Sequence, residues 1–134
     1  MRFLFFLCVF WSPWVFADSQ EPFSKALFEW INQYREEQKL SPLIWDETLA
    51  QLAFKHSSRM NEKQTLSHDG FESRFHATQK KVCVENVGVR FQTAKGQGEA
   101  WKNSPQHNAN LLRKEIRHCG LAKAGEYVTF LATD

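Results

Sequence analysis

Trp101-Lys102-Asn103-Ser104-Pro105-Gln106-His107-Asn108-Ala109-Asn110-Leu111-Leu112 is the stretch on which the reading of this chain turns. Ser104-Pro105 opens a helical segment, with the serine as cap and the proline in the first turn, where a missing N–H costs nothing. Just upstream, Gly96 and Gly98 mark a loop before a short helix around Glu99 to Asn103. Downstream, Ile116 to Ala124 and Tyr127 to Ala132 read as two strands joined across Ala124-Gly125-Glu126, a hairpin pattern.

Further upstream, Val82 to Val89 is rich in valine, as a buried strand is. Leu27, Trp30, Ile31 and Tyr34 recur at helical spacing after Ser24, a cap for a helix that ends near Leu40 because Pro42 follows. Leu43-Ile44-Trp45 is an extended apolar step. Asp46 then caps a second helix whose buried face is Leu49, Leu52, Ala53, His56 and Met60. Ser67-His68-Asp69-Gly70 is a loop, and Phe71 to His76 forms one or two helical turns. This order of elements predicts an α+β domain in which helices cover a sheet, in two or three layers.

The N-terminus addresses the compartment. Arg2, the apolar run Phe3 to Phe10 and Val15-Phe16-Ala17 before Asp18 have the three parts of a cleavable secretory signal. The run is shorter than the roughly 20 residues that span a bilayer, which favours cleavage over a permanent anchor. Residues 1–17 are therefore read as a signal peptide and 18–134 as one domain, secreted or periplasmic. Seventeen Lys and Arg against fifteen Asp and Glu leave a net charge of +2, without a basic stripe, which argues against nucleic acid as a partner.

Cys8 falls in the leader, leaving Cys83 and Cys119. In an oxidising compartment an even pair suggests a disulfide, and the alternative is two buried thiols packed as small apolar groups.

Several segments together, in order along 18–134, resemble the CAP superfamily (cysteine-rich secretory proteins, antigen 5 and pathogenesis-related proteins) in its short bacterial form. They are Asn32-Gln33-Tyr34-Arg35, Pro42-Leu43-Ile44-Trp45-Asp46, the helix carrying His56-Ser57, Ser67-His68, Glu85-Asn86, and the Trp101 to Leu112 stretch. The resemblance implies an α-β-α sandwich with a central, largely antiparallel sheet. It also implies a cleft of two histidines and two acidic residues, which in some members holds a divalent metal such as zinc.

His68 and Glu85 carry over to that cleft directly, His107 by the bacterial motif, and Glu99 as the fourth member. Val84 stands where the family has glycine, and Ser104 where longer members have their second acidic residue. Two imidazoles and a carboxylate suit zinc, with His68 and His107 as ligands and Glu85 as a candidate base. The competing reading is a wet, hydrogen-bonded cleft without metal. His56, on an apolar helix face, reads as a buried, satisfied core histidine in preference to a ligand.

Three functions follow as expectations. The first, favoured over an enzyme, is a binding module whose cleft of His68, Glu85, His107, Ser104 and Glu99 has the residues for a divalent metal and takes a small ligand, a lipid or a protein. The second is a metal-assisted hydrolase of envelope or extracellular material. The third is a protein-interaction scaffold.

Overall fold

The computed structural model describes residues 21–134. The leader assigned to residues 1–17 lies outside the described residues. Five helices and four strands follow in the order α1 (Glu21–Glu37), β1 (Ile44–Trp45), α2 (Glu47–Lys63), α3 (Phe71–Thr78), β2 (Cys83–Val89), α4 (Ala94–Lys102), α5 (Pro105–Leu111), β3 (His118–Ala124) and β4 (Tyr127–Thr133). No helix among the described residues is long and apolar enough to cross a membrane.

The strands form one sheet in the order β1-β3-β4-β2. Only β1–β3 is parallel, with Ile44 opposite His118; β3–β4 and β2–β4 are antiparallel. The hairpin turns at Gly125, whose φ of 57° is open to glycine at little cost. Side chains alternate between faces. Val84, Phe130, Ala132, Cys119 and Leu121 join Leu27 and Ile31 of α1, Trp101 of α4 and Leu111 of α5 in the main core. The opposite face carries Glu85, Val87, Thr129 and Tyr127 and receives α2 through Met60 and Ser57. The result is the α-β-α sandwich that the resemblance implied.

Local chemistry explains the elements. Asp46 caps α2 by accepting from the Leu49 N–H at 2.9 Å. Asn32 holds the chain entering β1 from both sides, donating to the Leu43 carbonyl and accepting from its N–H. Arg35 is buried with no carboxylate partner among the described residues. Its guanidinium instead donates to the carbonyls of Ser41, Leu111 and Arg113, which ties the end of α1 to the end of α5.

Several expectations are corrected. α1 starts before Ser24, which is buried inside the helix. Gly96 and Gly98 belong to α4 and not to a loop. A Cβ on Gly98 would lie 2.4 Å from Trp30 Cε3, so glycine serves close α1–α4 packing there. Trp45, at the end of the extended apolar step, is 37% exposed.

The Cys83–Cys119 disulfide is also corrected: both cysteines are free thiols. β4 lies between their strands, which separates them by about twice the ~4.8 Å strand spacing, beyond the ~7 Å Cα limit for a bridge. Cys83 is in register with Thr133 and Cys119 with Ala132, so the two point to opposite faces. Burial pushes each thiol up to about 12.

Candidate functional site

Glu85 is placed on the outer strand β2, facing α2 and α3, with its side chain only 2% exposed. A buried carboxylate needs compensation. It receives this from a residue that sequence reasoning missed, Arg74 of α3. Arg74 Nε lies 2.7 Å from Oε2 and Nη2 lies 2.8 Å from Oε1, a fork that matches both oxygens. Arg74 Nη1 also donates to the Asp69 carbonyl at 2.8 Å, so the same side chain ties down the loop that carries His68.

His68 completes the group. Its Nδ1 is 2.9 Å from Glu85 Oε1. A carboxylate engaged by a guanidinium only accepts, so Nδ1 carries the proton and Nε2 is left on a side chain that is 55% exposed. His56 approaches the same oxygen at 3.9 Å from inside. Its Nε2 contacts the Ser67 carbonyl at 2.7 Å and therefore donates, whereas Nδ1 has no partner. Sequence reading placed His56 in the core correctly, but only one of its nitrogens is satisfied. Desolvation lowers its proton affinity, with Arg74 and Arg59 adding to the shift.

His107 comes from the other face. Asn110 Nδ2 donates to the Glu85 carbonyl at 3.2 Å and to Asn86 Oδ1 at 2.9 Å, and Asn86 Nδ2 donates to the His107 carbonyl at 3.0 Å. The Trp101 indole N–H donates to the Val87 carbonyl at 3.0 Å. These side chains satisfy the open edge of β2 and fasten α5 against it. They also explain why Glu85-Asn86 and the Trp101 to Asn110 pattern occur together.

His107 Nδ1 is 2.9 Å from Ser104 Oγ. Ser104 holds the N-cap position of α5, yet its hydroxyl makes no capping bond, contrary to expectation. Burial lowers the His107 pKa, and the charge of His68 lowers it further, which places the two rings in one electrostatic neighbourhood. No direct hydrogen bond joins His107 to His68 or Glu85 among the described residues. Glu99 is not brought to this site: it lines a groove between α1 and α4 with Trp30, Tyr34, Lys95 and Lys102.

The donor set does not fit a resident divalent metal. Both oxygens of Glu85 are occupied by Arg74 and His68, and the guanidinium already supplies the positive charge. Of the ligands the resemblance implied, His68 and His107 remain, fewer than the three protein ligands that a catalytic zinc takes, and His56 is 1% exposed with Nε2 committed to the Ser67 carbonyl. No group of three His, Cys, Asp or Glu side chains suited to a metal ion occurs among the described residues.

Comparison with known proteins agrees with this architecture. The sequence profile of the cysteine-rich secretory protein family, CAP, matches residues 28–129. The uncharacterized protein YkwD of Bacillus subtilis (strain 168) is 30% identical over 110 residues, covering 77% of this chain and 43% of that protein. The uncharacterized membrane protein YlbC of the same organism is 28% identical over 114 residues, covering 78% of this chain and 32% of that protein. The chain thus spans less than half the length of these relatives.

Among solved structures, an extracellular SCP-domain protein from Bacillus anthracis str. Ames superposes with a TM-score of 0.81 at 22% identity, covering 85% of this chain and 41% of that one. An outer surface protein from Borrelia burgdorferi gives 0.74 at 22% identity, covering 82% and 90%. The structural likeness shows the fold. With the sequence match over residues 28–129, it follows that the chain belongs to the cysteine-rich secretory protein (CAP) family.

Proposed function

We propose that this chain is an extracytoplasmic binding module whose recognition surface is the rim formed by His68, His107 and Ser104. The observation that carries this reading is the double engagement of Glu85 by Arg74 and His68. A general base needs an accessible lone pair. Here the carboxylate is spent on holding His68 in one tautomer, which leaves Nε2 outward as an acceptor or, once protonated, a donor. Such an arrangement selects a polar ligand group and does not by itself activate water.

Export is part of the proposal. It is supported by the leader pattern and by relatives described as extracellular or outer-surface proteins. The metal-assisted hydrolase is the weaker reading, because Glu85, its candidate base, has both oxygens engaged by Arg74 and His68.

Residues 18–134 are incubated with envelope material from the source cells and sedimented, beside a folded His68→Ala variant. Saturable retention that falls by about tenfold in the variant is expected, the loss of one charge-assisted hydrogen bond. Equal retention of both proteins would move recognition elsewhere on the scaffold. Turnover of ester or amide substrates that disappears in His68→Ala would replace the binding reading with the hydrolase.

A further inference from the structure

Beside the cleft, between α2 and α3, lies a pocket of about 180 Å³ that the proposed recognition surface does not use. Lys55, His56, Arg59, Ser73 and Arg74 line it, and no acidic side chain among the described residues does. Neither Lys55 nor Arg59 is in an ion pair among the described residues. The one carboxylate in the first turn of α3, Glu72, is turned to His76 at 3.7 Å.

Gly70 sets the spacing of the cations. It precedes α3 with a φ of 75°, and a Cβ built on it would meet Arg74 Nη1 at 3.4 Å and Arg59 Nη1 at 3.5 Å. Two guanidinium ends thus both reach the space beside Gly70, and only that of Arg74 is paired with a carboxylate, Glu85, among the described residues. Like charges in such proximity are stabilised by a bound anion.

The wall of the pocket identifies the kind of anion. His56 is 1% exposed, its Nε2 is committed to the Ser67 carbonyl, and its Nδ1 is a buried polar atom without a partner. With Nε2 protonated, a neutral ring offers Nδ1 as an acceptor. Glu85, Arg74 and Arg59 are the charged groups that act on it. A carboxylate at neutral pH brings no proton to that atom. A hydrogen phosphate brings one, and keeps its other oxygens for Arg59, Lys55 and Ser73.

We infer that the α2–α3 pocket binds a phosphate group, with Arg59 and Lys55 neutralising its charge and His56 Nδ1 accepting its remaining proton. The pocket is small for a drug-sized ligand and suits such a head group.

The test is a titration of residues 18–134 with inorganic phosphate near neutral pH, followed by calorimetry and by the 15N signals of the histidine side chains. Sulfate and acetate serve as comparison anions. Saturable phosphate binding is expected, weakened about tenfold in Arg59→Gln and unchanged in Lys63→Gln, a charge of α2 that does not line the pocket. The His56 Nδ1 signal should leave the free-acceptor range on saturation, and sulfate and acetate should bind more weakly. Absence of phosphate binding, unaltered affinity in Arg59→Gln, an unmoved His56 signal at saturation, or sulfate binding as tightly as phosphate would each overturn the inference.

Discussion

Arg74 holds Glu85 by both carboxylate oxygens, at 2.7 and 2.8 Å, from a helix whose own loop carries the histidine that shares the same carboxylate. The ion pair is therefore both a joint between α3 and β2 and the support for His68. Removing one partner leaves the other charge buried. Arg74→Met should cost about 3–5 kcal/mol in urea unfolding, whereas Arg74→Met combined with Glu85→Met should recover much of the loss. A cost near zero for the single substitution would mean that the pair is solvated.

Two histidines give the fold a sign of pH dependence. Burial lowers the proton affinity of His56 and of His107 below the unfolded value of about 6.5. The unfolded chain then binds more protons, so their contribution is fully present above the unfolded pKa and declines as pH falls through it. Stability should drop between about pH 7 and pH 5, with a shallower slope in His107→Gln. Chemical denaturation across that range checks it.

The thiols should behave as two separate buried groups. Denatured without reductant, residues 18–134 should show two reactive thiols, from Cys83 and Cys119. The native protein should react slowly, because both groups are protonated at neutral pH. A reductant should leave the Tm unchanged.

Two glycines separate tolerable crowding from intolerable crowding. A Cβ on Gly120 would sit 2.0 Å from the Ala50 backbone nitrogen, and α2 would have to move as a whole. Gly120→Ala should cost about 3 kcal/mol, at the top of the overpacking range. At Gly98 the obstacle is the Trp30 ring, which is partly exposed, and alanine favours the helix, so Gly98→Ala should cost about 1 kcal/mol or less. Thermal melts of both variants give the order.

What was legible in the sequence is what is encoded locally. Asp46 before Leu49, and the apolar spacing of Leu27 and Ile31, declare their helices within one or two turns. The turn at Gly125 declares the hairpin in the same way. The glycines of α4 read as a loop because their reason lies across the interface with α1, in the ring of Trp30. The disulfide failed for a related reason: compartment and count carry no register, and register puts Cys83 and Cys119 on opposite faces. Glu99 is near Trp101 in sequence but turns with α4 toward α1.

Motif resemblance pointed to His68 and Glu85, which the structure brings into contact, and to His107, which it joins to Ser104, but gave no sign of Arg74. One signal could have found it. A glutamate between Val84 and Val87 in a buried strand demands a cation, and Arg74 belongs to the segment just before that strand. What no local pattern shows is that both oxygens of Glu85 are taken up by Arg74 and His68.

The most direct measurement is a calorimetric zinc titration of folded residues 18–134, beside Glu85→Gln and His68→Ala. With Glu85 committed to Arg74 and His68, the wild type should show no one-equivalent binding near neutral pH. Stoichiometric zinc binding that is lost in both folded variants would contradict the account, because it would require Glu85 to be free for a metal.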